Sequence, residues 1–323
     1  MTTTVAATIG DVAGIGPEIM LRAVLDERVR AAVEVVLVGS AQVIVDQARH
    51  FGLQAALAHL TIHDVEGPVA WKFGEISAEC GAASIGYVQE AVKLAKRGRV
   101  DALVTAPINK ESWKAAAVPY PGHTEALGIL FERSVETMFV AGPLRIFFLT
   151  RHHSLRRAID QLNAARLTHL LVHADATLRQ LGVERPRIAV AALNPHGGEH
   201  GLFGDEEEVH LRPGIVDAIR AGVDAHGPVP SDAVFYQAVH GRYDAVIALF
   251  HDQGHIAAKM HDFFGTVSVT TGLPVIRATV DHGTAFDIAG RGIADPSGQV
   301  QAFVVADELA QFVPNPARKR TRD

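Results

Sequence analysis

Apolar positions along this chain follow two different spacings. Short, nearly continuous apolar runs rich in β-branched residues predict buried strands. These runs are residues 3–10, 33–40, 100–107, 145–150, 186–194, 244–250 and 266–272. Apolar residues at three- and four-residue spacing predict the helices between them. These helices are residues 17–33, 40–52, 82–98, 156–182 and 212–223. The alternation predicts an α/β protein with doubly wound sheets that carry helices on both faces.

The length of the chain predicts two α/β lobes. Its 323 residues exceed the usual size of a single hydrophobic core. No long linker rich in Ser, Pro or Gly divides the sequence, so we expect the chain to pass between the lobes more than once. We expect one lobe to comprise residues 1–125 together with residues 265–323, and the other to comprise residues 126–264.

Composition predicts a globular, cytoplasmic protein. Hydrophobic residues make up 48% of the chain, and the net charge of -6 offers no basic excess for nucleic acid. No apolar stretch is long enough to span a bilayer, and the amino terminus lacks the basic start and apolar core of a signal peptide. The single cysteine, Cys80, cannot form an internal disulfide, and we expect it to be a packed thiol.

Histidines follow three of the predicted strands. His152, His196 and His251 each come after an apolar run, beside glycine, proline or acidic residues. Open α/β sheets place their ligands at the carboxyl ends of the strands, so three imidazoles delivered in this way could meet. Neutral imidazoles bind borderline divalent ions, and three of them leave positions free for a substrate oxygen. The alternative is that these are ordinary loop residues in a chain with 17 histidines.

A candidate anion site follows the strand at residues 100–107. Asn109 and Lys110 come directly after that strand, and His123 and Thr124 precede a helix that we expect to begin near Glu125. Thr124 is then the predicted N-cap, and the neighbouring backbone N–H groups could receive a phosphate or carboxylate. A cap without any ligand is the alternative interpretation.

Two cations lie in otherwise apolar sequence. Lys259 stands eight positions after His251, and Arg277 ends a second apolar run. A phosphorylated substrate with a carboxylate suits this combination, because Arg binds such groups through two parallel hydrogen bonds and Lys acts as a point charge. Asp252, next to His251, is a candidate for orienting a histidine or moving a proton, with a plain loop acid as the alternative.

Five segments carry a family resemblance. Residues 10–19, 121–127, 194–199, 251–255 and 272–292 read GDVAGIGPEI, PGHTEAL, NPHGGE, HDQGH and GLPVIRATVDHGTAFDIAGRG. In this order they resemble the 4-hydroxythreonine-4-phosphate dehydrogenase family of pyridoxal phosphate biosynthesis. The broader relatives are the isocitrate and isopropylmalate dehydrogenases, and the resemblance implies their two-lobed fold. In those enzymes, the segment similar to residues 281–296 binds the adenine end of the nicotinamide cofactor.

The resemblance also implies roles for individual residues. It implies that His152, His196 and His251 hold one divalent ion, which could be Zn²⁺, Mg²⁺, Co²⁺ or Mn²⁺, in a site shared between the two subunits of a homodimer. The adjacent His153 leaves the choice of the first ligand open. The implied substrate-binding residues are His123, Thr124, Lys259, Ser268 and Arg277. The implied residues for NAD or NADP are His282, Gly283, Thr284, Ala285, Asp287 and Asp295. Asp252 and Lys259 are the candidate catalytic residues.

The reaction expected from these features is a metal-dependent, NAD(P)-linked oxidation and decarboxylation of a 4-phosphorylated four-carbon hydroxy acid. Ser268 departs from the family, which carries Asn there, and the HDQGHI form resembles a branch acting on 4-phospho-D-erythronate or 4-phospho-D-threonate rather than 4-hydroxy-L-threonine 4-phosphate. A terephthalate-type cis-dihydrodiol dehydrogenase shares both of those features. A phosphate acyltransferase of similar architecture and a non-catalytic binder of phosphorylated metabolites are further alternatives.

Overall fold

The computed structural model describes residues 2–318 and divides the chain into two compact units. Unit 1 comprises the residues up to Val135 and those from Val267 onward, and unit 2 comprises Glu136–Thr266. The chain therefore leaves unit 1 once and returns to it once. The boundary expected between residues 125 and 126 falls inside a helix of unit 1, His123–Phe131, and the division lies after that helix.

The part of unit 1 that the structure describes contains six strands. They are β1 (Thr3–Thr8), β2 (Val33–Gly39), β3 (Leu60–Asp64), β4 (Ala102–Thr105), β10 (Val267–Thr271) and β11 (Ile276–Val280). Their order is β3-β2-β1-β4-β11-β10, and β10 alone among them runs antiparallel to its neighbour within the unit. Strand β1 is buried along its whole length, as its unbroken apolar run predicts.

Seven α-helices lie among the described residues of unit 1. They are α1 (Gly16–Ala23), α2 (Glu27–Ala32), α3 (Ala41–His50), α4 (Ala78–Lys96), α5 (Lys110–Ala115), α6 (His123–Phe131) and α12 (Ser297–Ala310), with a 3₁₀ turn at Gln54–His59. The single helix expected at residues 17–33 is two helices. Asp26 separates the two helices, because its backbone is extended and not helical. Its carboxylate accepts a hydrogen bond from the Arg28 N–H and so caps the second helix.

Unit 2 contains five strands and five α-helices. The strands are β5 (Glu136–Ala141), β6 (Leu144–Phe148), β7 (Arg187–Ala191), β8 (Asp224–Val229) and β9 (Ala245–Ala248). The helices are α7 (Leu155–Asp160), α8 (Ala164–Gln180), α9 (Arg212–Arg220), α10 (Ser231–Val239) and α11 (His251–His261), with a 3₁₀ segment at Pro195–Gly201 and a π-helical turn at Glu207–Leu211. The strand order is β5-β6-β9-β7-β8, parallel except for the β5 and β6 pair.

One helix expected in unit 2, residues 156–182, is also two helices. Asn163 has an extended backbone, and its side-chain oxygen accepts the Arg166 N–H, so α8 begins anew there. The α/β class is confirmed in both units. Cys80 is fully buried, as expected, and burial raises the pKa of its thiol. Within residues 2–318, no helix is both long enough and apolar enough to cross a membrane.

Candidate active site

The three candidate metal-binding histidines follow neighbouring strands of unit 2. Strand β9 pairs in parallel with β6 on one side and with β7 on the other. His152 lies four residues beyond β6, His251 three beyond β9 and His196 five beyond β7. Parallel strands end at the same edge of a sheet, so the expectation that all three histidines leave one edge is met by the strand order.

His152 and His251 lie together in a pocket of unit 2. Their ring centroids are 5.9 Å apart, and both rings line a cavity of about 310 Å³. Its other lining residues are Arg151, His153, Leu155, Ala158, Phe250 and Asp252. His153 also lines this cavity, so both members of the adjacent pair reach the same space.

Asp252 orients the ring of His251. Its Oδ1 atom lies 2.6 Å from Nδ1 of His251. A carboxylate can only accept hydrogen bonds, so Nδ1 carries a proton and, in the neutral ring, Nε2 carries the lone pair. This is the tautomer that binds a metal ion through Nε2, with a carboxylate holding the other nitrogen.

His196 lies in a tightly curled loop of unit 2. The residues from His196 to Gly201 all have left-handed φ angles, including 54° at His196 and 45° at Glu199. Such angles are unfavourable outside glycine and persist where the surroundings impose them. Nδ1 of His196 lies 3.1 Å from Oε1 of Glu199, which gives this ring the same carboxylate-held tautomer as His251.

A buried carboxylate anchors the start of the His196 loop. Oε1 of Glu207 accepts the N–H groups of Leu193 and Asn194 at 2.8 and 2.7 Å, and Oε2 accepts from the Asn194 side chain. Burial alone would raise the pKa of Glu207. The hydrogen bonds from Asn194 nevertheless hold that pKa below its ordinary value. Sequence reasoning missed Glu207, because nothing local in the sequence relates it to residues thirteen positions earlier.

Within residues 2–318 of one chain, no group of three or more His, Cys, Asp or Glu side chains lies close enough to hold a metal ion. Of the three candidate ligands, His152 and His251 line the cavity of unit 2. The three histidines do not come together in the described part of one chain, because the His196 loop curls on itself. The centroid of the His196 ring lies 6.3 Å from that of the Phe203 ring.

His255 is a further residue of the pocket region that sequence reasoning missed. It stands one helical turn after His251 on α11, and the two rings stack with centroids 3.5 Å apart. Its other face packs near Phe139 and Phe148. Burial, followed by the nearby charges of His251 and Lys259, lowers the pKa of His255 to about 3, so the ring is neutral at neutral pH.

The candidate catalytic residue Lys259 lies on the same helix, one turn further on. Its ammonium group sits 5.2 Å from the centroid of the Phe263 ring. Lys259 is half-buried, and Asp252 is exposed. Sequence reasoning treated the residues after Phe250 as a loop, whereas α11 begins at His251 itself.

Arg277 lies in the core of unit 1. It is 2% exposed and sits on β11, opposite Leu103 of β4. Within residues 2–318, its side-chain hydrogen bonds all go to hydroxyl oxygens: Nε and Nη2 donate to Thr105 at 3.1 and 2.5 Å, and Nη1 donates to Thr270 at 3.2 Å. Burial lowers the pKa of Arg277 to about 9, and the guanidinium remains charged at neutral pH.

His123 lies near Arg277 at the start of α6. Burial, followed by the charges of Arg277 and Lys110, lowers the pKa of His123 well below its ordinary value, so its ring is neutral. The Nε2 atom is enclosed, and it makes no hydrogen bond with any other described residue. The unit therefore presents an enclosed ring nitrogen beside a buried guanidinium.

Thr124 is not the N-cap that the sequence predicted. Helix α6 begins at His123, and its N-cap is Gly122, whose backbone is fully extended. Glycine offers no oxygen to the first turn, and none of the described side chains caps this helix. The helix begins two residues earlier than expected because Gly122 supplies the break, and Thr124 lies inside the first turn.

A family model decides the relationship that these motifs indicate. The model described as "Pyridoxal phosphate biosynthetic protein PdxA" matches residues 18–306. The chain belongs to this family. The resemblance stated from the sequence motifs is confirmed.

Individual relatives of this PdxA family member cover nearly its whole length. A protein of Halalkalibacterium halodurans named "Putative D-threonate 4-phosphate dehydrogenase" is 46% identical, over 95% of this chain and 96% of its own. The structure of a 4-hydroxythreonine-4-phosphate dehydrogenase from Klebsiella pneumoniae is 38% identical, with a TM-score of 0.88 over 96% of this chain and 100% of that one. A terephthalate 1,2-cis-dihydrodiol dehydrogenase from Burkholderia xenovorans is 30% identical, with a TM-score of 0.65 over 95% and 98%.

Ser268, the position at which this PdxA family member departs from the expected Asn, lies on β10. It pairs with Thr279 of β11 and is half-buried. Thr270, two residues along on the same face of the strand, is the hydroxyl that accepts from Arg277. Ser268 and Arg277 thus belong to one pair of strands in unit 1.

The candidate cofactor segment of the chain, residues 282–295, is attached to α1. The Thr284 carbonyl accepts the Ile15 N–H at 3.0 Å, and the Gly292 carbonyl accepts from Arg22 at 2.7 Å. Glu18, which is fully buried, accepts the Ala294 N–H at 3.1 Å and also accepts from Arg22. The sequence did not indicate a role for Glu18, yet Glu18 accepts hydrogen bonds both from Ala294 in this segment and from Arg22 of α1.

The remaining candidate cofactor residues lie on the same segment. Nδ1 of His282 faces the carbonyl of Gly283 at 3.0 Å. Ala285 has a left-handed φ of 43° and Asp287 follows it in the turn. Asp295 accepts the Ser297 N–H at 2.8 Å, and hydrogen bonds from the Ser297 side chain and then from its backbone lower the pKa of Asp295.

Proposed function

We propose that the protein is a metal-dependent, NAD(P)-linked dehydrogenase that oxidises and decarboxylates D-threonate 4-phosphate or D-erythronate 4-phosphate. The observation that carries this proposal is the buried guanidinium of Arg277, whose hydrogen bonds go to hydroxyls, in a chain of the PdxA family. The charge of Glu125 acts on this guanidinium, and a buried cation that donates its hydrogen bonds to neutral hydroxyls is suited to an anionic ligand.

The anionic part of the substrate binds in unit 1. Burying a charged group is costly unless opposite charge accompanies it. Glu125 supplies some of that charge to Arg277, and a phosphate or carboxylate beside the guanidinium would add to it. The enclosed Nε2 of His123 and the ammonium of Lys110 act in the same region, and the uncapped first turn of α6 offers backbone N–H groups. Phosphate suits this set, because it accepts several hydrogen bonds at once.

The donor set of unit 2 fits a borderline divalent ion such as Zn²⁺ or Co²⁺. His152 and His251 would hold it, and His196 would join them from a second subunit in a homodimer. Asp252 and Glu199 favour this role, because each holds an Nδ1 proton and leaves Nε2 as the donor atom. A bound ion would supply Lewis acidity at the oxygen on C3, the substrate carbon that is oxidised.

The reaction transfers a hydride from C3 of the substrate to the nicotinamide, and the C3 hydroxyl loses its proton. The resulting 3-keto acid loses CO₂ by cleavage of the C1–C2 bond, and C2 then takes up a proton. D-threonate 4-phosphate would give dihydroxyacetone phosphate. Asp252 is the candidate group for moving a proton in unit 2, and Lys259 the candidate for holding an anionic group there.

The nicotinamide cofactor, NAD or NADP, binds at residues 282–295. The contacts of Glu18, Arg22 and Ile15 with this segment support the assignment, because they hold a turn of irregular backbone in one conformation. An ordered turn of this kind suits a ligand that recognises backbone groups and exposed polar side chains such as Asp287.

The substrate preference rests on Ser268 and on the relatives. A hydroxyl reaches less far than an amide and offers fewer hydrogen bonds, so a site with Ser268 suits a substrate without the amino group of hydroxythreonine phosphate. The relative from Halalkalibacterium halodurans, at 46% identity, carries D-threonate 4-phosphate in its name.

A panel of purified substrates tests the proposal. We expect NADH or NADPH formation with D-threonate 4-phosphate or D-erythronate 4-phosphate, at a kcat/KM above that for 4-hydroxy-L-threonine 4-phosphate. The panel includes the cis-dihydrodiol of terephthalate, which has no phosphate, as the competing substrate class. A chelator should abolish the activity and added Co²⁺ should restore it.

Two outcomes would contradict the proposal. Full activity of metal-free protein would exclude the metal role. A kcat/KM that is tenfold or more higher for 4-hydroxy-L-threonine 4-phosphate would exclude the proposed substrate preference. If the preference is correct, Ser268→Asn should narrow the difference in kcat/KM between the two substrates.

A further inference from the structure

The side-chain amide of Gln253 joins three segments of unit 2. Its Oε1 atom accepts the Leu249 N–H at 2.6 Å, just after β9. Its Nε2 atom donates to the Ala192 carbonyl at 2.8 Å, just after β7, and to the Ser231 hydroxyl at 2.9 Å, at the start of α10. Ser231 in turn donates to the Ala192 carbonyl at 2.6 Å.

The partners of Gln253 fix the orientation of its amide. The Leu249 N–H can only donate and the Ala192 carbonyl can only accept, so the oxygen and nitrogen of the amide cannot exchange places. Both N–H groups of the amide have acceptors and the oxygen has a donor. Among the natural side chains of this length, a glutamate would lack the donors and a methionine would lack both functions.

The segments joined by Gln253 are those that carry two of the candidate metal ligands. Leu249 precedes His251 by two residues, and Ala192 precedes His196 by four residues. Ala192 is itself held to the end of β8, because its N–H donates to the Val229 carbonyl at 2.8 Å. A shift of the β9 end relative to the β7 end would therefore have to break the hydrogen bonds of Gln253.

We propose that Gln253 is a positioning residue, which holds the chain around His251 in register with the chain that leads to His196 and so prepares both histidines to bind a metal ion. This inference rests on the proposed function. Outer groups that orient metal ligands contribute strongly to affinity, and their loss typically weakens metal binding by about 10- to 100-fold. Gln253 touches neither substrate nor cofactor in this assignment, and it acts through the histidine-bearing segments.

Metal titration of the full-length protein tests this role. Wild type, Gln253→Met and Ser231→Ala are stripped with chelator and titrated with Co²⁺ alone by calorimetry. We expect Gln253→Met to weaken Co²⁺ binding at least about tenfold. Ser231→Ala removes one hydroxyl and leaves both backbone hydrogen bonds of Gln253, so we expect a loss of about threefold.

Gln237→Met is the matched control. Gln237 is a half-buried glutamine on α10 of the same unit, and its Oε1 atom makes no hydrogen bond with the other residues that the structure describes. Its replacement should leave Co²⁺ affinity unchanged. Urea unfolding of each metal-free protein separates positioning from general stability, since a merely structural residue would lower the urea midpoint without changing Co²⁺ affinity.

The outcomes separate this inference from the proposed function. Wild-type protein that binds no divalent ion contradicts both. Tight Co²⁺ binding by wild type together with equal affinity in Gln253→Met overturns the positioning role alone. If Gln253→Met fails to fold, Ser231→Ala decides the question, and an unchanged Co²⁺ affinity in that variant overturns the inference.

Discussion

The two candidate binding regions lie in opposite environments. In unit 1, Arg277 is 2% exposed and its hydrogen bonds are made inside the core. In unit 2, the side chains of His251 and His196 are 37% and 68% exposed, and their polar contacts are carboxylates close in sequence. One region is an enclosed cation, and the other is a set of open, oriented donors.

This difference matches what each class of ligand requires. An enclosed guanidinium gains strength from the low dielectric around it, so a single cation can recognise an anion well. A catalytic metal site must keep coordination positions open, so its histidines gain nothing from complete burial and depend on orientation instead. We therefore expect removal of charge to matter most in unit 1 and removal of orientation to matter most in unit 2.

Replacement of Arg277 should give the largest effect. Arg277→Met should lower kcat/KM for the phosphorylated substrate by about a thousandfold, the scale at which loss of a buried charged hydrogen-bonding partner is felt. Because burying a guanidinium among hydroxyls is costly, the same variant should keep or raise the free energy of unfolding in the absence of substrate. Steady-state kinetics and urea unfolding measure the two quantities.

The control for this prediction is Arg242→Met, an exposed arginine of unit 2 that lies over the Tyr243 ring. It should change neither quantity appreciably. A strong loss of stability in Arg277→Met with little change in kcat/KM would show that this guanidinium is structural, and the contrast between the two regions would disappear.

Replacement of the exposed histidines should give the next largest effect. His251→Ala and His196→Ala should each lower kcat by at least about a hundredfold, because each removes a donor to an electrostatic catalyst. Stability should change little, since both side chains are exposed. His240→Ala provides the comparison, because His240 is an exposed histidine just after α10 and is not a lining residue of the cavity. Activity of His196→Ala within threefold of wild type would remove it from the ligand set.

The smallest expected effect is the pH dependence caused by His123. Its pKa in the folded protein is lowered well below that of the unfolded chain, about 6.5, so below pH 6.5 the unfolded state binds a proton that the folded state does not. Stability contributed by the neutral ring is therefore present above pH 6.5 and is lost as the pH falls. The slope from this one group approaches about 1.4 kcal/mol per pH unit.

Urea unfolding between pH 7.5 and pH 5.5 checks the prediction for His123. His123→Phe should lose part of the slope seen in wild type, whereas the exposed His240→Phe should retain all of it. An equal change of the free energy of unfolding with pH in wild type and in His123→Phe would contradict the lowered pKa of His123. The difference in electrostatic environment between unit 1 and unit 2 would then be smaller.

The strands that lead to the candidate metal ligands were the part of the site region that the sequence predicted best. The strands that precede His152, His196 and His251 are short apolar runs, and their burial depends mainly on residues within each run. Four strands were absent from the predicted set: β5 and β11, which are buried along their whole length, and β3 and β8. Strand β3 alternates between partly buried and exposed positions and β8 contains Gly227 and Pro228, so neither resembles a core strand. Helix α11 was not predicted, because it begins with polar residues and contains few apolar residues to form a helical spacing.

The sequence by itself determined the α/β class and the family and named the candidate residues of the site, because strand and helix periodicity and long motifs are carried by neighbouring residues. Only the tertiary structure decided how those residues are held. Thr105 meets Arg277 from 172 positions away, and Gln253 meets Ala192 from 61 positions away. Such contacts arise from the order in which strands pair, and no local spacing encodes that order, so the environment that gives each side chain its pKa and orientation appears only when the sheets are assembled.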